Sequence, residues 1–129
     1  MSEHKQFMVS QQIVLQNAEG KVLVLQRAGN GFWLLPGGRI EETDTNLEEA
    51  LTREIFEEIQ LRVVVGRPIA IDTATHWNTF AVAFHATLTE PGEPVLDAEH
   101  TGYEWVTPAE AAERLYYKRI GKAIAEQLG

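Results

Sequence analysis

The sequence predicts a mixed α/β fold of the α+β type, in which strand-rich segments surround a helix near residues 46–59 and a C-terminal helix. Three observations predict it. Short runs rich in leucine and β-branched residues are separated by turn residues, one segment alternates strictly, and capping residues mark two helix starts. The 129 residues have the size of one domain, which we expect to span residues 1–129.

The first two strands are predicted at residues 9–15 and 21–27, where β-branched residues and leucine are frequent. The segment between them contains Asn17 and Gly20, which favour a tight turn. We therefore expect these two strands to form a hairpin.

A longer strand is predicted from Asn78 to Leu88 because its side chains alternate. We expect its face of larger residues to point toward a core: Phe80, Val82, Phe84, Ala86 and Leu88. The preceding residues 61–72 also have the composition of a strand. Gly66 and Pro68 interrupt them, so a bend or two separate pieces are expected.

The C-terminal helical region begins in the sequence TPAE at residues 107–110. This segment combines a capping threonine, a proline at the first helical position and a glutamate at the third. Helix is expected from there toward Leu115, and again over residues 118–128.

The composition argues against several functional classes. No stretch approaches the length of a membrane span, the first residues lack the pattern of a secretory signal, and there are no cysteines. A cytoplasmic protein without a membrane partner is therefore expected. With 11 Lys and Arg against 19 Asp and Glu, the net charge is -8, which disfavours a nucleic acid polymer but not a small phosphorylated ligand.

The helix near residues 46–59 has an N-cap at Thr45 or Asn46 and carries a ridge of glutamates. The three glutamates fall within an arc of about 100° beside the apolar face: Glu54, Glu57 and Glu58. Their mutual repulsion is unfavourable by roughly a few tenths of a kcal/mol per pair. A hard divalent cation would relieve it, because Mg²⁺ prefers carboxylate oxygens. The alternative interpretation is a solvated acidic surface.

Pro36, Gly37 and Gly38 lie one short loop before this helix. The proline and the glycine pair predict a stiff turn whose main chain can approach a ligand or metal closely. The alternative is an ordinary connecting turn.

The glycine pair and the acidic helix together resemble the Nudix hydrolases, whose signature runs Gly, five residues, Glu, seven residues, Arg-Glu-aliphatic-any-Glu-Glu-any-Gly-aliphatic. The matching residues are Gly38, Arg53, Glu54, Ile55, Glu57, Glu58 and Leu61. The segments VLVLQR, FWLLPGG and AEHTGYEWVTPAE also look like that family, so the resemblance covers most of the chain. It implies the Nudix fold, a mixed β-sheet sandwiched between helices.

The loop before the helix departs from the signature. Counted back from Arg53, the first glutamate of the family falls on Thr45, and the loop has one extra residue. In the family this glutamate pairs with the arginine and supports the metal ligands. Here Glu41, Glu42 or Asp44 would have to replace it, which requires the loop to form differently.

A second departure is Gln60, where the family has glycine. Glycine after a helix commonly adopts a left-handed conformation, which costs another residue about 1 kcal/mol. We expect either that cost or a different helix end.

The resemblance implies hydrolysis of a nucleoside diphosphate derivative, with Mg²⁺ or Mn²⁺ as the electrophile and water attacking a phosphorus of the pyrophosphate. It makes Glu57 and Glu58 the first-choice metal ligands and Glu54 either a ligand or the base. Arg53 would orient the carboxylates. Gly37 and Gly38 would give the metal a backbone carbonyl or let the phosphate approach.

Many members of the family recruit a further acid from a later loop. We expect Glu99 in this role, with Glu104 and Asp97 as alternatives, although each is also compatible with plain surface charge. His100 and His76 are candidates for protonating the leaving group.

The substrate-binding candidates are aromatic and basic. Trp33 and Trp77 could stack on a base or sugar, or could simply pack against the protein. Arg27, Arg39 and Arg67 could meet phosphate, or could be solvated charges.

Three functional hypotheses follow. The first is a Mg²⁺-dependent pyrophosphohydrolase acting on a nucleoside triphosphate or another nucleoside diphosphate derivative. The second is a Nudix-fold module that binds nucleotides but is weakened in catalysis, and the third is a domain whose acidic face contacts other proteins. The resemblance leaves the substrate open, and it leaves open both a monomer and a homodimer.

Overall fold

The computed structural model describes residues 3–129, apart from the side chain of His76. The strands are β1 (Met8–Gln16), β2 (Val22–Arg27), β3 (Trp33–Leu34), β4 (Gly37–Arg39), β5 (Val63–Ala74), β6 (Thr79–Leu88) and β7 (His100–Val106). The helices are α1 (Leu47–Ile59), α2 (Pro108–Arg114) and α3 (Lys118–Leu128), with a short 3-10 helix at Thr75–Trp77. No helix within residues 3–129 is long and apolar enough to cross a bilayer.

The seven strands form one mixed sheet with the central order β3-β2-β1-β6-β5. β1 and β6 run parallel over residues 8–16 and 79–87, and the other strand pairs are antiparallel. Strands β4 and β7 pair with β1 and β2, respectively. The mixed α/β fold expected from the sequence is confirmed.

Alternation along the central strands supplies both faces of the sheet with apolar side chains. On one face, Ile13 and Leu15 of β1 pack in a cluster with the apolar residues of α1. On the other face, Val14 packs in a cluster with residues of α2 and α3. The sheet is therefore sandwiched between α1 on one side and α2 and α3 on the other.

The predicted hairpin of β1 and β2 forms, but its strands part soon after the turn. Their register includes only Gln16 opposite Val22. Farther along, β1 pairs instead with β4, with Gln12 opposite Gly37 and Ser10 opposite Arg39. Strand β4 thus occupies the space that the parting strands leave beside β1.

The glycine pair was predicted to be a turn, and this prediction is wrong, because both glycines belong to β4. The approach of main chain to main chain is nevertheless close. A Cβ at position 37 would lie 2.7 Å from the Cα of Gln12, closer than side chains pack. β4 therefore fits against β1 only with glycine at this position.

The expectation that the larger residues of β6 face the core holds only for its second half. Ala81 and Ala83, on the face of small residues, are completely buried, while Phe80 and Val82 are half-buried. Phe84 packs with the α1 cluster as expected. Alternation could not show this, because helices cover both faces of the sheet, and Ala81 and Ala83 pack in the cluster that includes residues of α2 and α3.

The bend expected at Gly66 and Pro68 is present within a single strand. β5 shifts register against β6 between Val65 and Pro68 and again between Pro68 and Ala70. Because β5 is an edge strand, the missing N–H of Pro68 is tolerated there.

The helix caps agree with the sequence. Asn46 caps α1 by accepting the N–H of Glu49 at 3.0 Å, and Thr107 and Glu110 form a capping box at α2. Gln60 ends α1 in the left-handed conformation, with φ 55°, as the family glycine would. α3 lacks a side-chain cap of its own; Asp72 of β5 instead accepts the N–H of Arg119 at 2.9 Å.

Candidate active site

A cleft of about 730 Å³ opens beside β4, where β1 and β2 part. One side consists of the C-terminal half of α1 and the loop that leads into β7. The opposite side consists of the start of β1, the 3-10 helix and the turn between α2 and α3. We call the first side the acidic wall and define it by five residues: Glu54, Glu57, Glu58, Asp97 and Glu99.

Glu58 is the deepest member of the acidic wall. It lies on the buried ridge of α1, is only 9% exposed, and accepts the N–H of Gly37 through Oε1 at 3.0 Å. Burial raises the pKa of Glu58 to about 8, and the neighbouring Asp97, Glu99 and Glu54 add to the rise, whereas the hydrogen bond from Gly37 opposes it. A carboxylate in this position is strongly disfavoured unless a cation accompanies it.

Glu54 lies one turn earlier on α1, against the second glycine of β4. A Cβ at Gly38 would collide with Oε2 of Glu54, so the absence of a side chain at position 38 makes room for this carboxylate. Burial, followed by the charge of Asp44, raises the pKa of Glu54 to about 7, while Arg53 lowers it. The glycine pair and the acidic helix thus fit together at two contacts, Gly38 with Glu54 and Gly37 with Glu58.

Arg53 connects the acidic helix to the loop before it. Its Nη2 lies 3.3 Å from Oδ1 of Asp44, and its guanidinium is 4.0 Å from Glu54 and 3.7 Å from Glu57. The side chain of Asp44 is only 7% exposed, and it also accepts the N–H of Glu41 at 2.8 Å. These two interactions, the hydrogen bond first, hold the pKa of Asp44 below its usual value.

Asp44 therefore makes the ion pair with Arg53 that the resemblance assigns to the missing glutamate of the signature. Among the three acids considered from the sequence, the extra residue of the loop brings only Asp44 into an ion pair with Arg53 within the described residues. The loop forms differently from the family pattern, with Asp44 bonded back to Glu41 through its own N–H as well. The support of Arg53 is thus retained.

Glu57, the third glutamate of the ridge, is the most exposed of the three, with 68% of its side chain accessible. It lines the cleft, where its neighbour Arg53 lies 3.7 Å away. It reaches the site from the solvent side, whereas Glu58 reaches it from the core.

The loop before β7 completes the acidic wall. The N–H groups of Val95 and Asp97 donate to the carbonyl oxygens of Ile59 and Glu58 at the end of α1, at 2.9 and 3.0 Å. The loop is therefore attached to the helix that carries the glutamates. Both Asp97 and Glu99 line the cleft.

Asp97, more than the expected Glu99, comes close to Glu58. Ligand atoms of Glu58, Asp97 and His100 lie within 4.8 Å of one another, and Nδ1 of His100 is 2.8 Å from Oδ1 of Asp97. Glu99 lines the cleft from an exposed position farther along the loop. The sequence could not separate these residues, because both precede β7 within three positions.

Of two further candidates, the structure places only the side chain of Glu104. Glu104 lies outside the cleft, where it forms an ion pair with Arg114. The side chain of His76 lies outside the described residues.

The opposite side of the cleft holds four rings, which we call the aromatic cluster: Phe32, Trp77, Tyr116 and Tyr117. The ring of Trp77 stacks on Tyr116 with centroids 4.6 Å apart. Trp77 and Tyr117 line the cleft, and Phe32 packs behind them, 5.0 Å from Tyr116. Burial raises the pKa of Tyr117 to about 12, so its hydroxyl keeps its proton at neutral pH.

The remaining predicted binding residues separate into two groups. Arg27 and Arg39 line the cleft, and the guanidinium of Arg27 also lies over the ring of Trp77 at 5.6 Å. Trp33 lies outside the cleft with Arg114 over its ring at 5.4 Å, and Arg67 also lies outside it. Of these four candidates, Arg27 and Arg39 therefore line the cleft, and Trp33 and Arg67 do not.

Sequence reasoning missed four side chains with hydrogen-bonding groups that line the cleft, of which two are polar residues of β1: Ser10, Gln12, Thr79 and Tyr117. The two polar residues alternate along β1 with residues of the other face, a pattern that could have placed them together. No local pattern could have placed Tyr117, because its position depends on packing between α3 and the sheet.

The donor set of the acidic wall fits a divalent cation. The buried carboxyl group of Glu58 and the half-buried one of Glu54, both with raised pKa values, lie beside two further acids of the loop. Arg53 is only partly available to neutralise them because it also pairs with Asp44. Carboxylate oxygens are the ligands that Mg²⁺ prefers, and an imidazole is compatible with Mn²⁺. The arrangement is therefore able to hold a cation next to an anionic ligand.

Comparison with known proteins gives a family. A family model described as the NUDIX domain matches residues 6–127. The chain is 34% identical over 102 residues to a MutT-like protein of Streptomyces ambofaciens, covering 79% of this chain and 65% of that protein. It is 30% identical over 106 residues to the CTP pyrophosphohydrolase of Escherichia coli, covering 74% of this chain and 73% of that protein.

A third relative is a putative 8-oxo-dGTP diphosphatase of Bacillus subtilis, with 28% identity over 74% of this chain and 64% of that protein. The chain thus aligns with somewhat less than two thirds of the length of the Streptomyces and Bacillus relatives. Among solved structures, the MutT protein of Methanosarcina mazei superposes with a TM-score of 0.77, covering 97% of this chain and 95% of that one at 24% identity.

Proposed function

Because this chain belongs to the NUDIX domain family, we propose that it is a Mg²⁺-dependent pyrophosphohydrolase that cleaves a nucleoside triphosphate or another nucleoside diphosphate derivative. The observation that carries the proposal is the convergence of α1 and the loop before β7 on one cleft, where Glu58 lies beside Asp97. We further propose that residues 1–129 act as one domain, since both apolar clusters pack on the same sheet.

The metal would be held by the acidic wall. Glu57 and Glu58 are the proposed helical ligands, joined by Asp97 from the loop and by the backbone of Gly38. When bound, a divalent cation would neutralise the charge of the phosphates and make the attacked phosphorus more electrophilic. This also explains how a protein of net charge -8 could bind an anionic substrate.

The residues of the chain would then position the substrate and move one proton. We propose Glu54 as the group that takes the proton from the attacking water, because its carboxyl lies at the cleft beside Gly38 and is kept in place by Arg53. Glu99 is the alternative base. Arg27 and Arg39, at the other side of the cleft, would contact the phosphates that the acidic wall does not.

The alternative of a nucleotide-binding module with weakened catalysis was motivated by Thr45, the extra loop residue and Gln60. Each of these departures has a local replacement. Asp44 pairs with Arg53, and Gln60 adopts the left-handed conformation of the family glycine. These replacements favour the enzyme over the binding module.

The test is hydrolysis of a panel of nucleotides, including CTP, 8-oxo-dGTP, a nucleotide sugar and a dinucleoside polyphosphate, with Mg²⁺, with Mn²⁺ and with chelator. We expect metal-dependent release of phosphate or pyrophosphate. Glu57→Gln and Glu58→Gln should each reduce kcat/KM by about 100-fold or more, since each removes a proposed ligand.

A matched control is Glu48→Gln in the first turn of the same helix, where the glutamate is exposed and does not line the cleft. It should retain the full rate. Wild-type rates in both ligand variants would exclude the mechanism. Nucleotide binding with no turnover of any member of the panel would establish the binding module instead.

A further inference from the structure

Two buried glutamines stand next to each other on β1 and point to opposite faces of the sheet. Gln11 is 4% exposed, and its Nε2 donates to the carbonyl oxygen of Leu47 at 3.0 Å, at the start of α1. Gln12 is 5% exposed and lines the cleft. The only hydrogen bond of its side chain to the described residues is a long one, 3.5 Å from Nε2 to Oγ of Ser10.

The amide oxygen of Gln12 is open to the cleft. Within the described part of the chain, every side-chain nitrogen or oxygen that is sealed from solvent has a hydrogen-bond partner. Oε1 of Gln12 accepts no hydrogen bond there, so it must contact the space of the cleft. Water in the cleft completes the hydrogen bonds of this amide when no ligand is bound, so the amide is available to a ligand that replaces that water.

The surroundings of this amide suit a flat heterocycle. The rings of Trp77 and Tyr117 line the same cleft, and Ser10 adds a hydroxyl beside Gln12. The hydroxyl of Thr79, also at the cleft, is already bonded to the carbonyl oxygen of Trp77 at 2.9 Å. An amide both donates and accepts, as the edge of a nucleobase does, and aromatic rings provide the flat surface that such a base packs against.

The position of Gln12 is also compatible with phosphates bound at the acidic wall. Gln12 pairs with Gly37 across the β1–β4 ladder, and the N–H of Gly37 is bonded to Glu58. One strand spacing, about 4.8 Å, therefore separates Gln12 from the backbone that touches the acidic wall. A ligand with phosphates at one end and a base at the other would span the two.

We propose that Gln12, with Ser10 beside it, forms a subsite that binds the hydrogen-bonding edge of a heterocyclic base. The inference rests on the proposed function, since the phosphates of the same ligand are assigned to the acidic wall. It makes Gln12 a residue that determines which base is accepted.

The experiment compares Gln12→Leu with the wild type in the presence of Mg²⁺. kcat/KM is measured for ATP, GTP, CTP, UTP and methyl triphosphate, which has no base. We expect kcat/KM of the wild type to differ among the four bases. In the variant the ratio between the best and the worst base should fall about tenfold, because the amide is missing. The rate with methyl triphosphate should stay within about twofold of the wild type, by the same argument.

Gln11→Leu is the matched control, because it removes the same amide from the other face of the same strand. It should lower the melting temperature, since the carbonyl oxygen of Leu47 loses its donor, and leave the ratios among the four bases unchanged. If Gln12→Leu instead lowers the rates for all substrates equally, methyl triphosphate included, or leaves the base ratios unaltered, the proposal is overturned.

Failure of the proposed function would be recognised separately, as an absence of turnover with every substrate and metal. The subsite is then tested by titration calorimetry with the same four nucleotides in Ca²⁺. An affinity that depends on the base in the wild type and not in Gln12→Leu supports it. Equal affinity for all four bases in the wild type contradicts it.

Discussion

The acidic wall and the aromatic cluster face each other across the cleft and are built in opposite ways. The acidic wall takes three carboxylates from residues 54–58 of one helix and two from one loop. The aromatic cluster takes its four rings from three separate parts of the chain, at residue 32, at residue 77 and at residues 116 and 117. The local arrangement of the first made it visible in the sequence, whereas the second exists only after the sheet and α3 have packed.

The two sides also differ in what they contribute to stability. Burial raises the pKa values of Glu54 and Glu58, which means that their charged forms oppose folding when no cation is present. The rings stack on one another and on the apolar core, which favours folding. We therefore expect substitutions in the acidic wall to affect activity without loss of stability, and substitutions in the aromatic cluster to affect stability first.

The largest expected effect is that of Gly38→Ala. The new Cβ would displace the carboxyl group of Glu54, the end of a flexible side chain, so the fold should be kept while kcat/KM falls by about 100-fold. The measurement is the rate with the best substrate, beside the melting temperature.

Gly37→Ala provides the contrast, because its Cβ would meet the main chain of β1, which cannot move aside. It should lower the free energy of unfolding by about 2 kcal/mol. Equal melting temperatures for the two variants would refute the distinction.

The second prediction concerns pH and uses chelator to keep the acidic wall free of metal. The carboxyl of Glu58 has a pKa of about 8 in the folded protein against an ordinary 4.5. The folded state therefore binds a proton that the unfolded chain has lost, and stability falls as the pH rises from about 4.5 to about 8.

Glu58→Gln cannot lose a proton and still offers an oxygen to the N–H of Gly37. Its free energy of unfolding at pH 8 should exceed that of the wild type by on the order of 3 kcal/mol, and the difference should vanish near pH 4.5. Urea denaturation at several pH values measures it. A difference that does not change with pH would show that the buried carboxyl is not responsible.

The third prediction tests the replacement of the signature glutamate. Asp44→Asn removes the partner of Arg53, so the orientation of Glu54 and Glu57 becomes less fixed, and kcat/KM should fall by about tenfold. Glu42→Gln is the control, since Glu42 is exposed and forms none of the ion pairs in the described part of the chain. If both variants are equally active, Asp44 does not support the site.

The smallest expected effect lies in the aromatic cluster. Phe32→Ala removes a ring that packs 5.0 Å from Tyr116 and 5.9 Å from Trp77 without lining the cleft itself. Because Phe32 is 38% exposed, the loss of stability should be only about 1–2 kcal/mol. Thermal denaturation measures it, and KM for nucleotides should rise less than threefold if the ring acts only through its neighbours. An unchanged melting temperature would contradict a stabilising role.

Much of the fold followed from periodicity and capping, since Asn46, Thr107 and the alternation of β6 are local signals. Strand β4 did not, because two glycines have no strand preference of their own and become a strand only by pairing with β1. The burial of Ala81 and Ala83 was missed for a similar reason, since it depends on which helix covers that face.

The site divides in the same way. The ridge of glutamates could be predicted because one helix turn brings its residues together. The choice of Asp44 over Glu41 and Glu42 depends on how a loop closes, and the proximity of Asp97 to Glu58 depends on two hydrogen bonds to the end of α1. Neither is encoded in spacing along the chain.

The hydrogen bonds from Val95 and Asp97 to the last carbonyl groups of α1 have a consequence for how this loop can vary. They fix the end of the loop to the helix, so the position of Asp97 does not depend on the path of the chain before Val95. Thr89 is bonded to Arg62, and Glu93 accepts hydrogen bonds from Tyr103 and Trp105. The exposed residues 90–92 between them could gain or lose residues without moving the acid. Insertions and deletions are therefore expected to be tolerated in these exposed residues before Val95, but not between Val95 and Asp97.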